Sequence, residues 1–207
     1  MDSTLIEDEV IDLLAGEAGS LDAVAAITAR AMNGELDFTE SLVARVATLA
    51  GLTPPAISAV ERRISVTEGV PRLVEGVHAA GGAIAVVSGG FHEVVDGLAE
   101  RLGLDFWRAN RLEAEDGVLT GRVRGEVVDA GAKAATLAEW ADECGIPLSR
   151  TVAVGDGAND LEMMALAGLS IAFDAKAPVR GAADVVMDVR DLSQVLPLVG
   201  LPRHLRR

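Results

Sequence analysis

The chain has 207 residues, enough for one α/β domain with an insert or for two small domains. Half of them are hydrophobic but only 3% are aromatic and none is Tyr, so the core must be built from Ala, Val, Leu and Ile. A formal net charge of −14 speaks against nucleic acid or an anionic membrane as partner, while a small anionic substrate remains compatible because a metal or a few placed cations reverse the local potential.

Residues 1–9 contain no strand-like run, and Glu7, Asp8 and Glu9 break any leader-like apolar region. From Glu9 to about Arg63 the pattern is helical. Val10, Ile11, Leu13 and Leu14 mark a short amphipathic helix; Leu21, Val24, Ala25, Ile27, Thr28 and Ala31 mark a second that stops at Asn33-Gly34. Phe38, Leu42, Val43, Val46 and Leu49 form a third, ended near Gly51, and Thr53-Pro54-Pro55 opens a fourth with prolines in its first turn. After Gly69 the pattern changes. Pro71 to Ala80 is a helix, and Ala83 to Ser88 is a fully apolar strand of the kind buried in parallel sheets. Gly89-Gly90 turns into the helix Phe91 to Leu102, and a second strand lies near Asp105 to Ala109. Glu115-Asp116-Gly117 and Thr120-Gly121 read as hairpin turns. Ala130 to Cys144 is a helix, and its lone cysteine excludes an intrachain disulfide framework and fits a reducing cytoplasm. Thr151 to Val154 is a strand, Asn159 to Ala167 a helix, Leu169 to Phe173 and Asp184 to Met187 short strands, and Leu192 to Val199 a helical tail. Arg203, Arg206 and Arg207 form a solvated basic tip. No apolar run is long enough to span a bilayer, so the expectation is a cytoplasmic globular protein.

Helix–strand alternation from residue 70 onward predicts a doubly wound, Rossmann-like α/β fold with a parallel sheet. The helical block before it has no sheet of its own and is expected to sit as a cap over the strand ends. Residues 1–8 and 70–207 then form the core and residues 9–69 the cap domain.

Four stretches fall at strand ends or helix starts, positions that share one edge of a parallel sheet: Asp2-Ser3-Thr4, Ser88-Gly89-Gly90, Lys133 and Gly155-Asp156-Gly157-Ala158-Asn159-Asp160. Hard oxygen donors beside a helix amino end suit a magnesium ion and a phosphate together, although Asn159 and Asp160 also read as simple helix caps. The Ser88 hydroxyl and the N–H groups after it can hold phosphate oxygens or cap the following helix. Lys133 lies early in its helix, where a cation makes sense facing a phosphate, or is merely solvated. Asp2 and its two hydroxyl neighbours are a candidate site or only a turn.

In combination these residues resemble the four motifs of the haloacid dehalogenase superfamily of phosphatases. Glu9-Val10-Ile11-Asp12, Met32, Phe38-Thr39-Glu40-Ser41-Leu42, Arg45, Thr67-Glu68-Gly69 and Ala109-Asn110-Arg111-Leu112 narrow the resemblance to its phosphoserine phosphatase family. It implies Mg²⁺-dependent hydrolysis of O-phosphoserine to serine and phosphate through an aspartyl-phosphate, the last step of serine biosynthesis. Asp2 becomes the general acid/base and, through its carbonyl, a metal ligand; Asp156 is a side-chain metal ligand, and Asp160 supports the metal's waters. Ser88, Gly89 and Lys133 hold the phosphoryl group and Asn159 orients it. Glu9 faces the substrate ammonium and Arg45 its carboxylate, a pairing that suits a guanidinium. Met32 and Phe38 wall the pocket or fill the cap's interior.

The family's first motif reads Asp-x-Asp-x-Thr after a hydrophobic strand. Here Met1 stands at the x and Asp2 at the second Asp, so the nucleophilic Asp and the first central strand have no counterpart. The sheet is expected to have a gap between Ala83–Ser88 and Thr151–Val154, and the chain to be inactive as it stands. A start assigned at an internal Met and a fragment of a longer protein both account for this. The alternatives are a non-catalytic ligand-binding relative, or a phosphatase of another small phosphorylated metabolite.

Overall fold

In the computed structural model residues 1–202 are described; Arg203, Arg206 and Arg207, read above as a basic tip, lie outside them. Three of the four leading helices have a terminus suited to their residues. Helix α1 (Val10–Ala18) ends at Gly19, whose φ of 67° is left-handed backbone that only glycine adopts freely. Helix α2 (Leu21–Met32) follows. Helix α3 (Phe38–Ala47) opens with a reciprocal capping box: the Glu40 N–H donates to the Asp37 carboxylate at 2.8 Å and the Asp37 N–H to Glu40 at 2.9 Å. Helix α4 (Pro54–Glu61) begins with prolines, where a missing N–H costs nothing. Val10, Leu14, Val24, Leu42, Val46, Leu49 and Val60 are buried in one apolar cluster that continues into the rest of the molecule.

The chain enters and leaves this helical segment side by side. Ile6 bridges Val66 in antiparallel fashion, the Thr67 N–H donates to the Leu5 carbonyl at 3.0 Å, and the Glu7 N–H to the Ser65 carbonyl at 2.9 Å.

Beyond it come α5 (Val70–Ala79), β1 (Ala85–Phe91), α6 (His92–Leu102), β2 (Phe106–Glu115), β3 (Val118–Arg124), α7 (Ala130–Glu143) and β4 (Val152–Gly155). Then follow α8 (Leu161–Leu166), β5 (Leu169–Phe173), α9 (Ala177–Ala182), β6 (Val185–Met187) and α10 (Val195–Leu198). The strands form two three-stranded sheets among the described residues, ordered β1-β2-β3 and β4-β5-β6. β1 pairs with β2 in parallel, β2 with β3 antiparallel, and β4, β5 and β6 are all parallel. β1 and β4 are thus outer strands of separate sheets.

That position changes their burial. The run Ala83–Ser88 reads as a fully buried strand, yet Ala85 is exposed, Val86 and Val87 are half-buried, and Val152 of β4 is 36% exposed. An apolar strand with a neighbour on one edge only cannot close both its sides.

Of the two expected hairpin turns the structure has one. Asp116 and Gly117, with φ of 51° and 79°, make the β2–β3 turn, as two-residue hairpins require. Thr120-Gly121 is no turn: Gly121 lies inside β3, where a Cβ would stand 3.0 Å from the Ala47 carbonyl oxygen and 3.1 Å from the Ala50 Cβ. Glycine there lets the hairpin pass the end of α3. Helix α9 had no sequence signal, being a six-residue turn with an early proline and an internal Gly181. No described helix is long and apolar enough to cross a membrane.

Candidate active site

The carboxyl ends of β1 and β4 bring together segments far apart in sequence. Asp156 follows β4 directly, and the Thr4 hydroxyl donates to its Oδ1 at 3.0 Å across 152 residues of chain. At β1, Gly90 has no room for a side chain: a Cβ would lie 2.7 Å from the Met1 methyl, 3.2 Å from Ser88 Oγ and 3.5 Å from Asp2 Oδ2. The first residues of the chain therefore lie between the two strand ends.

Asp160 organises the loop after β4. Its Oδ2 accepts the Asp156 and Gly157 N–H groups, both at 3.2 Å, and its Oδ1 accepts from Lys133 Nζ at 2.7 Å. Gly155 makes this possible, because a Cβ there would stand 2.5 Å from the Asp160 carboxyl carbon. Both members of the ion pair are buried. Burial alone would raise the Asp160 carboxyl, but the Lys133 ammonium and the N–H donors hold it below the ordinary range. Lys133 reaches the site because α7 is fixed at its start, where the Asp129 carboxylate accepts the Ala132 N–H at 2.8 Å.

Ser88 is 3% exposed and lies inside β1 rather than after it; its Oγ accepts the Gly90 N–H at 2.9 Å. Gly89 faces the helical segment, since a Cβ on it would come 2.7 Å from the Phe38 ring. Phe38 therefore covers this backbone, whereas Met32 is 78% exposed and walls nothing. Asn159 is half-buried in the turn Ala158–Asp160, beside Gly157.

The Asp2 carboxyl is the most perturbed of the group. Asp2 is half-buried as a residue, yet its Oδ1 is fully buried with no hydrogen-bond partner. Burial pushes its carboxyl up to about 7, against the N-terminal ammonium and Lys133 and with the help of Glu9. A carboxyl that titrates near neutrality can both give and take a proton. Glu9 accepts from the Ser3 hydroxyl at 2.7 Å. Arg45 is anchored by its Nε–H on the Ser41 carbonyl at 3.2 Å; burial lowers its pKa, while the charges of Glu9, Asp12 and Asp2 act the other way. Glu9 and Arg45 thus lie within electrostatic reach of each other and of Asp2.

Sequence reasoning singled out Asp2, Glu9, Arg45, Ser88, Gly89, Lys133, Asp156 and Asn159. It named Thr4 and Asn110 within motifs but gave neither a role: Thr4 donates to Asp156, and the Asn110 side chain holds the Gly89 carbonyl at 2.8 Å. A threonine after an acid and an asparagine in a strand carry no periodic signal. Among the described residues no group of three or more His, Cys, Asp or Glu is gathered as a metal cage. Mg²⁺ needs no such cage, since it keeps several waters and takes one or two carboxylates. Asp156, with only the Thr4 hydroxyl on its Oδ1, is a hard oxygen donor of that kind, and the Asp2 carboxyl, whose Oδ1 has no partner, stays available to carry a proton.

Comparison with known proteins matches this arrangement. The haloacid dehalogenase-like hydrolase family matches residues 1–165. Phosphoserine phosphatase of Streptomyces coelicolor is 53% identical over 204 residues, which cover 99% of this chain and 50% of that protein. The chain thus spans half the length of that relative. Phosphoserine phosphatase of Streptococcus thermophilus is 50% identical over 199 residues, covering 96% of this chain and 93% of that protein. A solved structure of a substrate-bound phosphoserine phosphatase complex superimposes with a TM-score of 0.90 at 45% identity, over 96% of this chain and 94% of the other. Similarity this high over so much of both chains leaves one conclusion: this chain belongs to the haloacid dehalogenase-like hydrolases, and among them to the phosphoserine phosphatase family.

Proposed function

We propose that this chain carries the site of a Mg²⁺-dependent phosphatase that releases serine from O-phosphoserine, as the last step of serine biosynthesis in the cytoplasm. The observation that carries the reading is the convergence of four separate strand-end motifs. Thr4 meets Asp156 at 3.0 Å, Lys133 meets Asp160 at 2.7 Å, and Gly90 packs against Asp2.

In this reading residues 9–69 are a substrate-selecting cap over a core of residues 1–8 and 70–207. Arg45 grips the substrate carboxylate with parallel hydrogen bonds and Glu9 complements its ammonium. Ser88, the Gly89 backbone and Lys133 hold the phosphoryl oxygens, and Asn159 orients them. Phosphoryl transfer asks mainly for positioning and charge neutralisation. The Asp2 carbonyl and the Asp156 carboxylate would hold Mg²⁺, which when bound supplies part of that neutralising charge. Asp2, whose carboxyl is raised by burial, protonates the leaving serine oxygen and then takes a proton from the attacking water.

The covalent step needs a carboxylate nucleophile that forms an aspartyl-phosphate. We assign it to an aspartate directly ahead of Met1, at the end of a strand between β1 and β4. The division of the strands into two sheets supports this, as does the half-exposed apolar surface of β1. The test is phosphate release from O-phosphoserine by the 207-residue chain and by a version extended upstream with an apolar strand ending in Asp. The extended protein turns over in Mg²⁺ and stops in EDTA, and the shorter one shows little turnover in either. Turnover by the shorter chain, or an EDTA-resistant extended one, would falsify the assignment.

A further inference from the structure

We propose that Asn110 is a positioning residue that ties together the two elements meeting the substrate phosphoryl group, the bulged end of β1 and the start of α7. The inference rests on the phosphate-binding reading of Ser88, Gly89 and Lys133. Asn110 is 1% exposed, and an amide buried that deeply must place its donor and its acceptor on partners. Its Nδ2 donates to the Gly89 carbonyl at 2.8 Å, and its Oδ1 accepts the Val128 N–H at 2.8 Å. Both partners are backbone groups, so the side chain fixes chain paths rather than other side chains.

Each path leads to the site within a few bonds. Pairing of β1 with β2 steps from Val87 opposite Arg108 to Phe91 opposite Asn110, so β1 advances four residues while β2 advances two. The two surplus residues lie within Ser88-Gly89-Gly90, which stands opposite Ala109 alone, and a bulge leaves backbone groups without ladder partners. The Asn110 amide supplies one for the Gly89 carbonyl, and Ser88 Oγ supplies another for the Gly90 N–H at 2.9 Å. The orientation of the Gly89 peptide, and with it the direction of the neighbouring N–H groups, is thereby set. On the other side Val128 directly precedes Asp129, the capping residue of α7, whose carbonyl accepts the Lys133 N–H at 3.0 Å. A displaced Val128 carries the first turn of α7 and the Lys133 ammonium with it. One amide therefore sets the spacing between the β1 bulge and the lysine on α7.

The test is titration calorimetry of the full chain with inorganic phosphate in Mg²⁺ buffer, together with thermal unfolding. Asn110→Ala removes both bonds. Asn110→Asp keeps the acceptor for Val128 and breaks the bond to Gly89 while adding a buried charge that Asn110→Ala does not add, so the two variants together separate the lost bond from the charge. Ser170→Ala serves as control: Ser170 is 4% exposed and its hydroxyl donates to Asp184 at 2.6 Å, with no partner in the site. We expect both Asn110 variants to weaken phosphate binding about tenfold or more, the scale of one misaligned charge-assisted hydrogen bond. Ser170→Ala lowers the unfolding midpoint while leaving affinity within about twofold. A folded Asn110→Asp that binds phosphate like the unaltered chain overturns the positioning role alone. Failure of the unaltered chain to bind phosphate overturns the phosphate-site reading and this inference with it.

Discussion

At the scale of single residues, the Lys133–Asp160 pair shows how the site's charges are held. Their side chains are only 5% and 9% exposed and their atoms 2.7 Å apart, so neither charge is solvated by water. Removing one partner of such a pair strands the other charge, which costs more than the pair itself contributes. Lys133→Met is accordingly expected to destabilise the fold by about 3 kcal/mol in urea titration. Adding Asp160→Asn recovers part of that loss, because an amide oxygen still accepts the Asp156 and Gly157 N–H groups. If the double variant is no more stable than Lys133→Met, the stranded-charge account is wrong. At this scale the acids and the lysine were legible in the sequence, because acids and lysines are rarely buried without purpose and these stand at strand ends and helix starts. The parts played by Thr4 and Asn110 were not. Their roles depend on bonds to Asp156, Gly89 and Val128, set by tertiary geometry alone.

At the scale of elements, α6 and β2 are clasped by a cluster of polar side chains. His92 Nδ1 lies 2.6 Å from Asp96 Oδ1, and the Trp107 indole N–H donates to the same oxygen at 2.9 Å. The Ala109 N–H donates to His92 Nε2 at 3.2 Å, so the ring proton is on Nδ1 and points at Asp96. Arg111 Nη2 stands 3.7 Å from the other Asp96 oxygen. Burial acts to raise Asp96, but the hydrogen bonds from His92 and Trp107 prevail and hold its carboxyl below the usual carboxylate range. A lowered folded-state pKa means the stabilisation is present above the unfolded value of 3.8 and is lost as pH falls through the folded one. Trp107 fluorescence, read in a Trp140→Phe background, should therefore change on acidification below about pH 4. Asp96→Asn should abolish that transition and cost about 1 kcal/mol at neutral pH, a small figure because the carboxyl is partly exposed. A transition that persists in Asp96→Asn excludes this carboxyl as its origin. Element identity was mostly readable because apolar spacing and helix-boundary residues agree, as in α3 with its Asp37–Glu40 box and α4 with its prolines. The end of β1 was misread: Ser88-Gly89-Gly90 has the composition of a turn and is extended strand, held so by Asn110 and Ser88 Oγ.

At the scale of the whole molecule, one apolar cluster joins the helical segment to both sheets, yet the sheets have no ladder between β1 and β4. Unpaired edges of apolar strands are costly and prone to pair with other chains. An upstream strand that fills the space should raise the melting temperature by about 5 °C or more, and a proline in its middle should cancel the gain. Equal melting of the extended and unextended chains in calorimetry would show that the strand does not enter the sheet. The helix–strand alternation made the architecture legible from residue 70 onward, whereas the partial exposure of Val86, Val87 and Val152 depends on what lies beside them in space. The side-by-side passage at Ile6 and Val66 has a separate consequence. The helical block leaves and rejoins the body at points about one ladder spacing, roughly 5 Å, apart. In recombination terms it is a cassette with matched ends. A substitute block can share those ends only if it also covers the Gly89 backbone and the β3 hairpin, as Phe38 and the end of α3 do here.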